Sequence, residues 1–364
     1  MGALDTIEWE TCLLEPVQNR EAWRFLRKEL GIVPPAWRYF LDSSWLIRAA
    51  ARFDLACVPM LHVPVNLSEM LALVVSQESS CRYCYTATRS VMKILGFPAA
   101  RIRRLEEDFL SADLTPREKT ALEFARCVAR AAPLATCTEA QPLLDAGYAP
   151  DAVKELAFFA AVNVFFNRLS TLPALPPEEV EFARRWDVRV LRPLIAMYVR
   201  PRRGTRAEFL SPAQREGPFA EFVNALDGLP AAARLRAVID DAWQSPALGR
   251  RAKGLVFAVV ARGIGCPLSE QEAVRLLVDE GMTAADVEHA LTHLSGADLD
   301  ARERAAASLA RESIWYRPAA LQRHARSIRP LFSREQFVEL IGVAALANMI
   351  CRLAVAVDVT RQAS

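Results

Sequence analysis

The sequence has almost no net charge, which excludes one class of function. Lys and Arg together number 45 and Asp and Glu number 43, so the formal net charge of the 364 residues is only +2. Proteins that bind nucleic acids usually carry an excess of basic residues on one face, and this chain has no such excess. We therefore expect no nucleic-acid partner.

Ligands for a metal centre are scarce as well. A structural zinc site needs four Cys or His ligands, whereas the single Cys-x-x-Cys of this sequence supplies two. None of the four histidines stands at ligand spacing from that pair; they are His62, His289, His293 and His324. The sequence predicts neither a metal nor a cofactor.

Export and membrane signals are missing too. The first eight residues contain an early acid and no basic start before an apolar run, so we expect a cytoplasmic protein with mostly reduced cysteines. The apolar run at 156–166 is too short to cross a bilayer, and the run at 340–357 contains Asn348 and Arg352 near its middle. Buried helices or a subunit interface account for both runs, so no membrane partner is predicted.

The pattern of apolar residues predicts an all-α fold, because period-two alternation and β-branched clusters are rare. Helical spacing predicts helices over about 37–56, from Ser68 as N-cap to 79, and from Cys81 to Leu95 with Gly96 as the stop. Thr115, Pro116 and Glu118 open another helix, and an apolar helix covers 151–168.

The second half of the chain repeats the first at a constant offset in the numbering. That offset superposes Cys81 on Cys266, Gly96 on Gly281, Pro133 on Pro318 and Asn163 on Asn348. Rare residue types held in register over this distance indicate a tandem duplication of one helical unit. We predict domains at 1–185 and 186–364, with proline-rich residues 186–220 as the join.

The second copy loses the polar residues that would do chemistry. Cys84 becomes Ser269, Thr88 becomes Ala273 and Glu69 becomes Gly254. The duplicate retains the helix stop and the core positions but has no Cys-x-x-Cys. We therefore expect residues 186–364 to be structural.

The stretch from 76 to 89 contains the candidate site, because Cys81 and Cys84 can act as a dithiol. A helix that begins at Cys81 would stabilise a thiolate through its free N–H groups and dipole. Glu69 lies twelve residues earlier, and a helical hairpin would bring it beside Cys84 and Thr88. Its carboxylate could then accept a thiol proton, or it could simply be a solvated surface residue.

The pattern Glu-x11-Cys-x-x-Cys resembles the AhpD-like superfamily, the alkylhydroperoxidase and carboxymuconolactone decarboxylase group. The Gly96 stop, the helix start at 114–118 and the apolar stretch 161–169 are similar to that family too. The stronger similarity covers about residues 35–177, and the repeat extends it weakly over 220–360. The resemblance implies compact all-α units that pair two-fold, here as a pseudo-two-fold dimer within one chain. It also implies a homo-oligomer, a trimer of two-repeat chains.

The resemblance further implies a thiol-dependent peroxidase or disulfide oxidoreductase. Cys84 would attack a hydroperoxide, Cys81 would resolve the sulfenic acid to a disulfide, and Glu69 would belong to the proton relay. An external dithiol of the lipoyl or thioredoxin type would then reduce the disulfide.

One position departs from the family pattern and leaves alternatives open. The family has a His four residues after the second Cys, where this chain has Thr88, and Tyr83 stands where some members have another His. A hydroxyl is a poor base at neutral pH, so turnover should be slow unless Glu78 compensates; a capping or solvent-facing role for Glu78 is the alternative. A degenerate binding or scaffold protein is the second hypothesis. A decarboxylase is the third, although it would not need both thiols.

Overall fold

The computed structural model describes residues 4–54, 58–177, 188, 190–294 and 299–363. In those residues it contains helices and no β-strand, so the all-α prediction is confirmed. Only two isolated bridges occur in the described part, Met60 with Arg203 and Glu208 with Gly228. The predicted boundary between 185 and 186 lies outside the described residues.

The α-helices of the first half surround one long apolar helix, α8. In chain order they are α1 (Arg20–Leu30), α2 (Ser44–Phe53), α3 (Ser68–Glu78), α4 (Arg82–Leu95), α5 (Ala99–Asp108), α6 (Pro116–Ala129), α7 (Cys137–Asp145) and α8 (Pro150–Thr171). Helices α3, α4 and α6 all pack against α8, which is buried along nearly its whole length. The dithiol at the start of α4 is therefore held against the protein core.

The remaining α-helices include a second long apolar helix, α17, which is buried along most of its length. They are α9 (Arg192–Val199), α10 (Ala220–Asn224), α11 (Pro230–Gln244), α12 (Arg250–Ile264), α13 (Pro267–Asp279), α14 (Ala284–His293), α15 (Ala301–Glu312), α16 (Pro318–Ile328), α17 (Arg334–Arg352) and α18 (Ala354–Ala363). Short 3₁₀ turns cover Pro35–Tyr39, Val65–Leu67, Pro212–Arg215 and Arg329–Leu331. The offset of the sequence repeat carries the start of α5, Ala99, onto the start of α14, Ala284. It likewise carries the start of α6, Pro116, onto the start of α15, Ala301.

The local signals at helix ends act as the sequence predicts. Thr115 and Glu118 form a capping box at the start of α6, with Pro116 in the first turn. Gly96 ends α4 in the left-handed conformation, with φ 98°, which a residue with a side chain rarely adopts. Cys81 is the N-cap of α4, and its sulfur accepts the backbone N–H of Cys84.

Two predicted helix starts were wrong. The helix expected over 37–56 is interrupted, because a 3₁₀ turn ends at Tyr39 and α2 begins only at Ser44. Arg334 of α17 donates to the Tyr39 carbonyl and pairs with Asp42, so a contact from the other half holds the break. Ser68 lies inside α3 instead of capping it, and its hydroxyl donates to the carbonyl of Val65 in the preceding 3₁₀ turn.

The two long apolar helices meet in the centre of the protein. Helix α8 packs along α17, and α2 packs along α11. Arg168 of α8 donates to the Trp315 carbonyl in the second half, while Arg352 of α17 donates to the Arg130 carbonyl in the first. The two acceptors, Arg130 and Trp315, are themselves equivalent positions of the sequence repeat. Arginine side chains thus link the two halves in both directions.

Among the described residues, one stretch, Arg334–Val359, is long and apolar enough to cross a membrane, and its mean hydropathy reaches 2.1. Its most apolar window is completely buried against the rest of the protein. A core helix passes the same test of length and composition, so the stretch gives no clear sign of a membrane.

Candidate functional site

The two predicted thiols lie in contact at the start of α4. Cys81 is completely buried, and its side chain lies next to those of Cys84 and Thr171. The backbone N–H of Cys84 is 3.3 Å from Cys81 Sγ. Cys84 is partly exposed, and its Sγ lies 3.6 Å from the hydroxyl of Ser170. The end of α8 thus places Ser170 beside Cys84 and Thr171 beside Cys81.

The pKa values of the two thiols shift in opposite directions. Burial disfavours the charged form of Cys81, but the hydrogen bonds from Cys84 and Thr171 outweigh it and lower the pKa of Cys81. Burial, together with the hydrogen bond to Cys81, raises the pKa of Cys84 well above its ordinary value. The more acidic sulfur is therefore the buried one, and the more exposed sulfur is the weaker acid.

Cys84, unlike Cys81, faces a cavity of about 430 Å³. The cavity also exposes three of the predicted residues, Glu69, Thr88 and Tyr83. Its remaining wall is mostly apolar and comes from the end of α1, the turn after it, α8 and the end of α9: Leu30, Ile32, Val33, Pro34, Pro35, Trp37, Phe40, Phe166, Leu169, Leu175, Tyr198 and Val199. The arrangement suits an apolar molecule whose reacting atom meets Cys84.

Glu69 is an unusual carboxyl because it is only 8% exposed on the first turn of α3. Burial, with a smaller contribution from the charge of Asp54, raises its pKa to about 8. At neutral pH most Glu69 side chains are therefore neutral acids. Glu69 also lines a second cavity of about 490 Å³, beside the end of α4 and the exposed helix α9. The carboxyl thus lies where two cavities meet.

Thr88 and Tyr83 both lie on α4 and line the cavity that Cys84 faces. Thr88 is one turn after Cys84 on α4, is 8% exposed and lines the same cavity. Tyr83 is 6% exposed and forms part of the wall. None of the four histidines, all of which the structure describes, lines either cavity. His62 instead donates its backbone N–H to Glu155.

Glu78 is not part of the cavity wall. Its carboxyl lies at the end of α3, near the charges of Arg126, Glu123 and Arg130, and burial is the main cause of its raised pKa. The hypothesis that Glu78 compensates for the missing His has no support in this placement. Glu78 and Cys81 flank a turn in which Ser80 has φ 50°.

Polar residues in the second half of α8 also belong to the site, although their position there was not predicted from the sequence. Asn163, Asn167 and Ser170 line the cavity, and Thr171 reaches Cys81. Asn167 also donates to the carbonyl of Val75 at 3.3 Å, which ties α8 to α3. These residues follow each other at helical spacing in an otherwise apolar helix, and that pattern is the signal that could have identified them.

Among the described residues, no three His, Cys, Asp or Glu side chains gather as metal ligands would. The site has two thiols, the buried carboxyl of Glu69, the half-buried carboxyl of Asp54 and several neutral polar groups. Such a set can hold and move a proton and can exchange a dithiol for a disulfide.

Comparison with protein-family models, with curated proteins and with solved structures finds no match to this chain.

Proposed function

We propose that the protein is a thiol-dependent peroxidase or disulfide oxidoreductase that reduces hydroperoxides through Cys81 and Cys84. One observation carries the proposal: Cys84 faces an apolar cavity with Glu69 in its wall, while Cys81 contacts Cys84 from behind. The overall change is two thiols and ROOH going to one disulfide, ROH and water. The sequence resemblance to AhpD-like proteins supports the same reaction.

The first step forms a bond between Cys84 Sγ and the terminal peroxide oxygen. The O–O bond breaks, the RO oxygen leaves as ROH with the proton that Glu69 has taken from Cys84, and Cys84 becomes a sulfenic acid. Ionised Glu69 accepts the Cys84 proton, directly or through a water. The Glu69 pKa of about 8 is closer to the pKa of a thiol than the pKa of an ordinary carboxyl is. Because the pKa of Cys84 is raised and Thr88 replaces the expected His, this step should be slow.

The second step joins the two sulfurs. Cys81 Sγ attacks Cys84 Sγ, and the sulfenic oxygen leaves as water. The lowered pKa of Cys81 favours this role, because a thiolate is the attacking species. No large movement is needed, since the two side chains are already hydrogen-bonded. An external dithiol of the lipoyl or thioredoxin type would then reduce the disulfide through the open side of the cavity.

The duplication suggests how the chain is assembled. We propose two AhpD-like units packed as a pseudo-two-fold dimer, with α8 against α17 and reciprocal arginine contacts across the centre. The second unit would be structural, and three chains would form a cytoplasmic trimer. Light scattering is the direct measurement; a monomer would remove the trimer and leave the intrachain dimer standing.

The test of the function is a count of free thiols after a small excess of cumene hydroperoxide. We expect the wild type to lose two thiols, slowly but measurably faster than Cys84→Ser, with Cys81 and Cys84 joined in the peptide map. Cys84→Ser should lose none at that rate. If wild type and Cys84→Ser react equally slowly, the peroxidase proposal is wrong.

A binding or scaffold protein is the second candidate, favoured by the size and apolar wall of the cavity. This reading predicts that an apolar fluorescent probe binds equally to wild type and to Cys81→Ser/Cys84→Ser, while hydroperoxide leaves the thiols unchanged. A decarboxylase is the third candidate, and it conflicts with the retained pair of thiols in contact.

A further inference from the structure

The second half contains two buried cysteines that the proposed reaction does not use. Cys266 is the N-cap of α13 and the repeat equivalent of Cys81, and Cys351 lies in α17. Their side chains are hydrogen-bonded to each other, and Cys266 Sγ is 3.3 Å from the hydroxyl of Ser269. Both residues are almost inaccessible, at 1% and 0% exposure. The second unit has lost its Cys-x-x-Cys but has a thiol pair drawn from two helices.

This pair has the same electrostatic asymmetry as Cys81 and Cys84. The hydrogen bond from Cys351 and that from Ser269 lower the pKa of Cys266, although burial opposes them. Burial and the hydrogen bond to Cys266 raise the pKa of Cys351. A helix-capping cysteine that ionises more easily thus contacts a second thiol, which is the arrangement that disulfide formation requires.

We propose that Cys266 and Cys351 form a second oxidation site, at which hydrogen peroxide converts two thiols into a disulfide between α13 and α17. Cys266 Sγ attacks one peroxide oxygen, the O–O bond breaks and a water leaves. Cys351 Sγ then attacks the Cys266 sulfenic sulfur, and the oxygen leaves with the Cys351 proton as a second water. The two sulfurs supply the two electrons that the peroxide accepts.

Hydrogen peroxide is the oxidant class that fits the burial of this pair. Neither Cys266 nor Cys351 faces the cavity that contains Cys84, so a bulky hydroperoxide has no comparable approach. The two cysteines lie far apart in the chain, since α14, α15 and α16 stand between α13 and α17. A bridge that closes such a long loop restricts the unfolded chain strongly. Oxidation should therefore stabilise the second half, and the protein would carry a structural bridge that depends on peroxide.

The experiment uses the full chain with Cys81→Ser/Cys84→Ser, so it does not depend on the proposed peroxidase reaction. Reduced protein is treated with hydrogen peroxide, the remaining thiols are alkylated after unfolding, and disulfide peptides are mapped. We expect a 266–351 linkage, a rise in Tm of about 5 °C and its reversal by dithiothreitol. Cumene hydroperoxide at equal concentration should form the linkage at least about tenfold more slowly, since the site is buried.

The matched control adds Cys266→Ser, because serine is a favoured N-cap and should preserve the start of α13. That variant should show neither the linkage nor the rise in Tm. The inference is overturned if both cysteines remain fully alkylatable after peroxide, or if either forms a disulfide only with another cysteine. A rise in Tm that persists in the Cys266→Ser control would also contradict it. Cys351→Ala provides a second control should the serine variant fail to fold.

Discussion

Replacing Glu69 with glutamine should change how the stability of the protein depends on pH. A glutamine resembles the protonated carboxyl that predominates in the folded protein at pH 7, but it cannot ionise. In the unfolded chain Glu69 ionises with its ordinary pKa of 4.5, whereas burial raises its pKa to about 8 in the fold. Between these values folding takes up a proton, so wild-type stability falls as the pH rises.

The magnitude follows from the two pKa values. Each pH unit between them costs the wild type up to about 1.4 kcal/mol, so raising the pH from 5 to 9 should cost about 4 kcal/mol through this residue alone. Glu69→Gln lacks this loss. It should gain about 4 kcal/mol relative to wild type over the same range, whatever its stability at pH 5.

The assay is urea unfolding of both proteins at several pH values from 5 to 9, followed by circular dichroism. The difference between the two free energies of unfolding removes the contributions of all other titrating groups. A difference that changes by less than about 1 kcal/mol would refute the reasoning, because it would mean that Glu69 is ionised or solvated in the fold. The same variant should also slow thiol loss to hydroperoxide if Glu69 accepts the Cys84 proton.

Three further changes have clear expected outcomes. Thr88→His should speed hydroperoxide-driven loss of two thiols by at least about tenfold, whereas Thr88→Val should not; equal rates would show that the missing imidazole is not limiting. Hydrogen bonds from Thr136 and Arg130 overcome partial burial and lower the pKa of Glu139 to about 2. Glu139→Gln should therefore destabilise the protein by about 1 kcal/mol at pH 7, measured by urea unfolding, and by progressively less as the pH falls towards 2. Arg168→Met should cost about 2 kcal/mol or more in the same assay, since it leaves carbonyls of the second half without their donor; a loss below about 0.5 kcal/mol would contradict that role.

Much of the helical layout could be predicted because its signals are local. A capping box, a proline in the first turn and a left-handed glycine act within a few residues of the helix end that they define. The start of α6 at Thr115 and the end of α4 at Gly96 therefore match the sequence prediction. The break before α2 could not be predicted in this way, because Arg334 holds it from the other half of the chain.

The candidate site was predictable to a similar extent. Spacing alone placed Cys81, Cys84, Glu69 and Thr88 close together, because a helical hairpin brings such positions to one side. Spacing did not decide between the two roles of Glu78, whose side chain lies near Arg126 and does not line the cavity. The hydroxyls of α8 were missed because their helix lies much further along the chain, with α5, α6 and α7 between it and the dithiol helix.

The sequence by itself determined the helical class and the position of the dithiol at a helix start. These features depend on backbone hydrogen bonds, caps and periodicity, all of which are short-range. Only the tertiary structure decided which sulfur faces the cavity, how strongly Glu69 is buried and that Cys266 reaches Cys351. Those properties depend on desolvation and on contacts between helices that are distant in the chain, and no local pattern specifies them.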